Sequence, residues 1–371
     1  MNIIEIDWAK VGKPTFEYCL KPEGPTPYLR DLFEIFAKIS EYQGPISIFY
    51  HMSDMDGVVS GGLLGLTAQN NQDVSYHPYT YSKRIDAKTL SPGLVIFVDV
   101  IPWVSDMAEI LKSNEVIVID HHITSLDRYK KCNEQIFDSI TWIYGNIPCV
   151  YQCYEGFMST VSLSNIPPSM LTMISALTLY DVSCAHLPKT LFSEQVLGDG
   201  DVACCNSDAI LIDYGMRYVT EYTAEGAKKF LKMFLYDYSS WNREMITLTI
   251  EIGKTVKATY QHISKLIRFK YMVNTDTILW GEQFMQLSLY KVALINVPNY
   301  DSGAFFEGED CDISIMYTVE TPNLIRLNLN SKEHINLLEM FPFMSGHPHE
   351  AACTIDSLEK LFILKEQTNK K

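Results

Sequence analysis

Residues 46–57 have the sequence ISIFYHMSDMDG, in which an apolar run ends directly in histidine and aspartate side chains. Two further apolar runs follow, LVIFVDV at 94–100 and EVIVI at 115–119. Near-continuous apolar and β-branched runs of this length are typical of strands buried on both faces of a parallel sheet. The three segments therefore predict a parallel sheet at the centre of the N-terminal part of the chain.

The segments between these strands have the patterns of helices. Residues 102–114 place Pro102 near a helix start, with apolar side chains at helical spacing, and residues 58–69 also read as a helix. A strand, a helix and a second strand in succession form a βαβ unit. The sequence thus predicts an α/β fold built on a doubly wound parallel sheet.

A long helix and a second, smaller domain are expected further along the chain. Residues 243–270 repeat apolar side chains every three or four positions, which predicts one continuous helix. Beyond it, the strand patterns lie at 291–297, 313–319 and 324–329, and a helical pattern lies at 333–340. We therefore expect a smaller α+β domain after a connecting helix.

The long helix and the segment before it are basic, although the chain as a whole is acidic. Residues 226–270 contain nine lysines and arginines against three acids. Two interpretations stay open: a solvated helix face, or a basic wall that faces an anionic substrate across a cleft between domains.

Each predicted strand of the parallel sheet runs into side chains that commonly bind metals. They are His51, Asp54 and Asp56 after the first strand, Asp99 at the end of the second, and Asp120, His121 and His122 after the third. In open parallel sheets the ligand site lies beyond the carboxyl ends of the strands, so we expect these side chains to meet. So many carboxylates in one crevice would carry a severe unpaired charge unless cations lay among them.

The residue types indicate which metal this crevice would hold. Imidazole and carboxylate ligands in this ratio suit manganese, or cobalt or iron, better than calcium. More than four candidate ligands indicate two ions about 3.5–4 Å apart that share a carboxylate, the arrangement that activates a water and binds a phosphoryl group. We therefore expect two Mn²⁺ ions, or Co²⁺ or Fe²⁺, as the cofactor.

In this order, the motifs HMSDMDGVVSGG, FVDVIP and IDHH resemble the first three motifs of the DHH phosphoesterases, a family that includes RecJ-like and nano-RNase-like proteins. Asp181, which closes the apolar run SALTLYD, resembles the fourth motif. KVALINVP and FMSGHPHEAA resemble the opening strand and the glycine-rich signature of the DHH-associated C-terminal domain. The resemblance implies a catalytic domain over 1–240, a connecting helix over 241–272 and a substrate-binding domain over 273–371.

The resemblance also implies a role for each motif residue. One ion would be held by His51, Asp54 and Asp99, and the other by Asp56, Asp99, His121 and Asp181. Asp99 would bridge the two ions. Asp120 would orient His121, as a carboxylate behind a metal-bound imidazole does. His122 would bind a substrate phosphate or donate a proton to the leaving oxygen.

In the C-terminal domain, the resemblance implies that Ser345, Gly346 and His347 form a turn that binds a phosphate through backbone N–H groups and the imidazole. This chain departs from the family there, because MSG replaces GGG and one extra residue separates His347 from Ala351.

The family's substrate-binding arginine on the preceding strand is also missing, since asparagines occupy this stretch. Arg326 and Asn330 lie an even number of residues apart, so we expect them to share one face of the strand. They are our candidate replacements.

Charge restricts the class of substrate. The 371 residues carry a formal net charge of −15, from 30 basic and 45 acidic side chains. An acidic surface repels a polyphosphate backbone, so long duplex nucleic acid is excluded as a partner. We favour a manganese-dependent phosphodiesterase that cleaves very short oligonucleotides or linear dinucleotides to mononucleotides. The alternatives are a cyclic dinucleotide phosphodiesterase, a bisphosphonucleotide phosphatase, or a non-catalytic nucleotide-binding module.

Three further expectations follow from composition. The nine cysteines are irregularly spaced and include no CxxC pair, so we expect reduced, mostly buried thiols. Apolar runs are too short for a membrane span, which needs about 20 residues, so we expect no membrane partner. The N-terminus is acidic where a signal peptide is basic, which favours a cytoplasmic protein. The oligomeric state is left open.

Overall fold

The computed structural model describes residues 18–21, 24–25, 28–71, 73–80, 83–145, 147–161, 168–181, 206–237, 242–267, 271–272, 278–296, 311–321, 324–332, 334–347 and 350–364. The chain divides into two compact units, Met1–Val256 and Lys257–Lys371. The division falls inside the long helix that the sequence predicts.

A seven-stranded sheet forms the centre of the first unit. Its strands are β1 (Tyr18–Lys21), β2 (Gly24–Pro25), β3 (Ile46–His51), β4 (Val74–Tyr79), β5 (Leu94–Val98), β6 (Glu115–Asp120) and β7 (Thr141–Tyr144). Their order is β2-β1-β7-β6-β5-β3-β4. The five strands from β7 to β4 are parallel, while β1 and β2 pair antiparallel at one edge. The predicted parallel sheet is confirmed.

Helices surround this sheet. They are α1 (Tyr28–Glu41), α2 (Met55–Thr67), α3 (Val104–Ile110), α4 (Ile123–Cys132), α5 (Glu134–Asp138), α6 (Cys149–Thr160), α7 (Pro168–Asp181), α8 (Asn206–Thr220), α9 (Ala224–Lys232) and α10 (Asn242–Ile267). The helix predicted over 58–69 is α2, and the one predicted over 243–270 is α10. The helix predicted over 102–114 is wrong in length, because α3 ends in a turn after Ile110.

Both faces of the central parallel strands β3, β5 and β6 are buried, which makes the sheet doubly wound. Successive side chains of a strand point to opposite faces. On β5, Ile96 and Val98 join the core that also contains residues of α2 and α6, whereas Val95 and Phe97 join the core that contains residues of α3 and α4. The continuous apolar runs in the sequence have this origin, and the predicted α/β fold class is confirmed.

The three central strands end at the same level. Tyr50 pairs with Val98, and Val98 pairs with Ile119, so the residues that follow lie side by side. In the sheet, β4 lies on one side of β3 and β5 on the other, so the direction in which successive strands are added reverses next to β3. The crevice at such a switch point is where open α/β sheets bind ligands.

The second unit contains a six-stranded sheet and a two-stranded one. Its elements are β8 (Tyr271–Met272), β9 (Ile278–Trp280), β10 (Val292–Asn296), β11 (Ile313–Thr321), β12 (Leu324–Ser331), α11 (Leu337–Met340), β13 (Ser345–His347), β14 (Glu350–Ile355) and β15 (Phe362–Leu364). The larger sheet has the order β13-β14-β12-β11-β10-β8, and β15 pairs with β9. This is the smaller α+β unit that the sequence predicts.

Two C-terminal predictions need correction. The helix predicted over 333–340 begins only at Leu337, because Asn336 caps it by accepting hydrogen bonds from the N–H groups of Leu338 and Glu339; Glu333 lies outside the described residues. The backbone of residues 345–347 is a strand and not a turn. Gly346 pairs with Ala351 and His347 with Glu350.

Two lysines of the basic segment have acidic neighbours. Lys228 lies 2.7 Å from Glu225, and Lys254 lies 2.6 Å from Glu251, each pair one helical turn apart. Such contacts are typical of a solvated helix face. Across the described ranges, no helix is both long and apolar enough to cross a membrane.

Glycine allows helices α2 and α9 to approach closely. A Cβ atom at Gly62 would lie 2.8 Å from the backbone nitrogen of Lys228 and 2.9 Å from the Cβ of Ala227. We expect Gly62→Ala to lower the free energy of unfolding by about 1–3 kcal/mol, because overpacking outweighs alanine's better helix propensity.

Urea denaturation checks this expectation. Ala37→Gly, on the exposed face of α1, isolates helix propensity and should cost only about 0.5–1 kcal/mol. A Gly62→Ala protein as stable as the parent would show that the two helices have room to separate.

Candidate metal centre

The predicted ligands lie at the carboxyl ends of the central strands. His51 is the last residue of β3, Asp120 is the last residue of β6, and Asp99 directly follows β5. Asp54 caps α2 by accepting a hydrogen bond from the N–H of Gly57 at 3.1 Å. Gly57 is required there, because a Cβ atom would lie 2.4 Å from the carbonyl oxygen of His51.

One group of donors forms around His51. Its Nδ1 lies 2.8 Å from an oxygen of Asp54 and 3.3 Å from Oδ2 of Asp99. Donor atoms from these three residues all lie within 4.8 Å of one another. The structure thus brings together the three residues predicted to hold one metal ion.

A second group forms around His121. Its Nε2 lies 3.5 Å from Oδ2 of Asp56, 3.4 Å from Oδ1 of Asp99 and 3.4 Å from Oδ2 of Asp181 at the end of α7. The four residues are those predicted to hold the other ion. Asp99 therefore faces both groups, with Oδ2 towards His51 and Oδ1 towards His121.

Cys149 is a member of this second group that the sequence predictions lack. Donor atoms of Asp56, Asp99, His121 and Cys149 lie within 4.8 Å of one another. The backbone N–H groups of Cys149 and Val150, at the start of α6, donate to the two oxygens of Asp56 at 3.0 and 2.6 Å. The sequence does contain a signal for this position of Cys149. It directly follows Pro148, which comes soon after a strand, and a proline there indicates a helix that begins near the strand ends.

Asp120 holds the DHH segment in place. Its Oδ1 accepts hydrogen bonds from the backbone N–H groups of His121 at 2.8 Å and His122 at 3.1 Å, and lies 2.8 Å from Nδ1 of His122. The carboxylate therefore orients His121 through its main chain. The imidazole that it contacts is that of His122.

Neighbouring carboxylates raise the pKa values of His51 and His122. Burial lowers the pKa of His51, but the charges of Asp54 and Asp99 outweigh burial and raise it to about 10. Burial also opposes the charged form of His122, and Asp120 raises its pKa to about 9. Without a metal, both imidazoles hold a proton at neutral pH.

The carboxylates differ among themselves. Burial raises the pKa of Asp56, and the charges of Asp99 and Asp181 raise it further. Burial likewise raises the pKa of Asp181 to about 7, with His121 opposing the shift. Burial also acts on Asp99, but contacts with His121 and His51 outweigh it and hold the pKa of Asp99 well below its usual range.

These donors fit divalent metal ions. Asp99 is 1% exposed, and among the described residues none donates a hydrogen bond of normal geometry to either of its oxygens. Buried carboxylate oxygens without donors are costly unless a cation compensates them. The proton held by His51 would leave when a metal binds, as is usual for such ligands.

The predicted substrate-binding residues lie in the second unit. On β12, Ile325, Leu327 and Leu329 are buried in the core, so Arg326 and Asn330 lie on the opposite face. Arg326 is partly exposed and Asn330 is buried. Residues 345–347 form β13, the edge strand of the sheet.

No family model matches the sequence, and no curated protein matches it. Solved structures similar to the chain include a DHH-domain protein described as a member of a family of ribosomal proteins, with 15% identity, 89% of this chain and 87% of that chain covered, and a TM-score of 0.49. RecJ from Thermus thermophilus in complex with Mn²⁺ is 15% identical over 90% of this chain and 53% of its own, with a TM-score of 0.46. The chain thus spans about half the length of that RecJ.

A third similar structure is an exopolyphosphatase-related protein from Bacteroides fragilis, with 14% identity, 87% and 90% of the two chains covered, and a TM-score of 0.32. Independently of these values, a doubly wound parallel sheet followed by a smaller α+β unit is the architecture that the DHH motifs imply.

Asp99 has a φ angle of 57°, in the left-handed region that disfavours residues with a Cβ atom. We expect Asp99→Gly to have a free energy of unfolding about 1 kcal/mol higher than Asp99→Ala in the presence of a chelator. At Asp106, in the first turn of α3, the order should reverse, because alanine is the better helix former. Urea titrations of the four variants test this, and an Asp99→Ala protein at least as stable as Asp99→Gly would contradict it.

The metal-free protein should lose stability as pH rises from 7 to 9. The folded-state pKa values of His51 and His122, about 10 and 9, exceed the ordinary value of 6.5, so the folded state binds more protons than the unfolded state in this range. The stability they contribute is fully present below pH 6.5 and is lost as pH rises through the folded values. The raised pKa of Asp181 acts in the same direction.

Thermal unfolding midpoints at pH 7, 8 and 9, with chelator or with Mn²⁺, measure this. We expect the midpoint in chelator to fall and the gain on adding Mn²⁺ to grow with pH, since metal binding to His51 and Asp181 releases their protons. Each kcal/mol lost should lower the midpoint by roughly 2–4 °C. His122→Gln should flatten the decline; a midpoint in chelator that rises over this range would refute the assignment.

Proposed function

We propose that the protein is a metal-dependent phosphodiesterase that hydrolyses very short oligonucleotides or linear dinucleotides to mononucleotides. The position of Asp99 carries this proposal, because its two oxygens face His51 on one side and His121 on the other. A carboxylate shared by two donor groups is the arrangement of two-metal sites that act on phosphoryl groups. The resemblance of the motifs to DHH phosphoesterases supports the same reaction class.

Two divalent ions would be held by the residues around Asp99. His51, Asp54 and Asp99 form the first position, and Asp56, Asp99, His121 and Asp181 form the second. When bound, the ions supply an activated water and positive charge at the transferring phosphoryl group. Mn²⁺, Co²⁺ or Fe²⁺ suits imidazole ligands better than Mg²⁺, which prefers oxygen donors.

His122 is our candidate for the proton donor to the leaving oxygen. Asp120 contacts its Nδ1 at 2.8 Å, which fixes the ring, and without a metal it raises the pKa of His122 to about 9 against the effect of burial. General acids of this kind contribute about 10²–10⁴-fold to a rate. Asp120 acts through His122 and through the backbone of His121, so it is a positioning residue.

The second unit would bind the rest of the nucleotide. Arg326 and Asn330 lie on the sheet face away from the core, where an arginine can bind a phosphate. The edge strand formed by Ser345, Gly346 and His347 has one side that is unpaired within the sheet, and such a side presents backbone N–H groups. Short substrates are favoured because each further phosphate meets an acidic surface, at a net charge of −15.

A substrate panel with Mn²⁺ tests this function. Initial rates are compared on RNA of two, five and twenty nucleotides at equal end concentration, on cyclic dinucleotides and on a bisphosphonucleotide. We expect the rate per end to fall steeply with length, to be weak with Mg²⁺ alone, and to be low on the cyclic and bisphosphate substrates. Rates that stay level with length would favour a longer binding channel, and binding without any hydrolysis would favour a non-catalytic nucleotide-binding module.

Two substitutions connect the activity to the site. Asp120→Asn should lower kcat/KM about 10–100-fold, the usual effect of losing a group that orients a metal ligand. Asp99→Asn should cost more, because it removes a charge shared by both metal positions. Asp106→Asn, which removes a buried carboxylate paired with Arg84 outside the site, should retain kcat. Equal losses for Asp99→Asn and Asp120→Asn would argue against a shared ligand.

A further inference from the structure

Cys149 combines burial with a position beside the donor atoms of the second group. It is fully buried, and its Sγ lies with donor atoms of Asp56, Asp99 and His121 in a group no wider than 4.8 Å. Its Sγ also lies 3.4 Å from the carbonyl oxygen of Ile119, the residue of β6 that precedes Asp120. The thiol therefore sits at the strand ends where the second metal position was inferred from the other residues.

A second observation points to a ligand at this place. Asp99, 1% exposed, has two oxygens to which none of the described residues donates a hydrogen bond of normal geometry, and Oδ1 is directed at the group that contains Cys149. A buried carboxylate whose oxygens lack hydrogen-bond donors favours a bound cation. The sulfur lies within 4.8 Å of the Asp99 donor atom, close to the separation of up to about 4.4 Å that metal–sulfur and metal–oxygen bonds of about 2.3 and 2.1 Å allow.

The main chain keeps Cys149 in place independently of its side chain. Its backbone N–H donates to Asp56, and so does that of Val150, so a substitution at Cys149 leaves both hydrogen bonds to Asp56 available. The sulfur atom is therefore the one donor that a serine or alanine would remove.

We propose that Cys149 is a sulfur ligand at the metal position formed by Asp56, Asp99 and His121, and that it makes this position favour thiophilic ions over Mn²⁺. On binding, the thiol proton passes to solvent and a sulfur lone pair binds the metal, with no change in oxidation state. Soft thiolate ligands select ions such as Zn²⁺, Co²⁺ and Cd²⁺, whereas carboxylates alone favour harder ones. The inference rests on the metal centre proposed above.

Cobalt spectroscopy tests the sulfur directly. Wild-type protein titrated with Co²⁺ should show visible d–d bands from bound cobalt and, in addition, a near-ultraviolet sulfur-to-cobalt charge-transfer band. Cys149→Ser and Cys149→Ala should keep the visible bands and lose the charge-transfer band. Cys153→Ser is the matched control, because Cys153 is equally buried one turn later on α6 but is outside the donor groups formed by the described residues; it should keep both.

Binding affinities provide the second measurement. Calorimetry should show that Cys149→Ser lowers the affinity for Cd²⁺ at least about tenfold. Loss of a residue that only hydrogen-bonds to a metal ligand already lowers metal affinity about 10–100-fold, and loss of a direct ligand should cost no less. The affinity of Cys149→Ser for Mn²⁺ should change far less. Equal losses for the two ions would show that the substitution disturbs the site as a whole and would overturn the selectivity.

A measurement on the wild-type chain covers the case in which the variants fail to fold. The ¹¹³Cd nuclear magnetic resonance signal of the loaded protein should appear downfield, where sulfur-ligated cadmium resonates, and not at the position of all-oxygen and nitrogen sites. Visible cobalt bands without charge transfer, or charge transfer retained in Cys149→Ser, would overturn the role of Cys149 and leave the metal centre standing. Absence of any cobalt spectrum would overturn the metal centre itself.

Discussion

Negative charge buried at the carboxyl ends of β3, β5 and β6 is the constraint on which the rest of the site depends. Asp56, Asp99 and Asp120 are each at most 3% exposed, and they converge because the three strands end in register. Isolated carboxylates at such depth would be very costly. Each carboxylate is stabilised by different neighbours. Two backbone N–H groups of α6 donate to Asp56, and those of His121 and His122 donate to Asp120. The imidazoles of His51 and His121 lie close to Asp99.

Asp99, the carboxylate that faces both histidines, is also the one with an unfavourable backbone. Its φ of 57° costs roughly 1–2 kcal/mol in a residue with a Cβ atom, and its backbone N–H is held by the carbonyl oxygen of Ile119 at 2.9 Å. Backbone strain at a buried charged residue is typical of a functional site whose surroundings fix it in place. Because the strained turn directs one carboxylate oxygen to each histidine, the same feature that lowers stability allows two metal positions to share a ligand.

The central strands and the metal-ligand candidates that follow them could be predicted from the sequence, because both depend on local patterns. Buried parallel strands require continuous apolar runs, and the functional residues directly follow them, so position along the chain was enough to place them together. Strand β4 was not predicted, because it contains Pro78 and proline is unusual inside a strand. As an edge strand, β4 tolerates a proline. The extended backbone at Gly346 could not be predicted either, because pairing with β14 overrides the turn preference of a glycine.

Cys149 shows a different limit. It is the first residue of α6, and the sequence does not show that this end of the helix reaches the strand ends. That position follows from the orientation of α6, whose N-terminus points at Asp56 because unpaired N–H groups there attract a carboxylate. The hydrogen bonds that Asp56 accepts from the N-terminus of α6 thus also determine the position of the Cys149 thiol.

The two donor groups are therefore chemically unequal. One offers an imidazole and two carboxylates, of which Asp54 is 29% exposed in its side chain. The other offers an imidazole and carboxylates around a fully buried thiol. Since a more exposed, oxygen-rich position suits a harder ion with retained water, and a buried position with sulfur suits a softer one, the shared Asp99 would join two ions of different preference. An ion at the harder, more accessible position would supply the activated water, and Asp56, Asp99, His121 and Cys149 would hold the other ion.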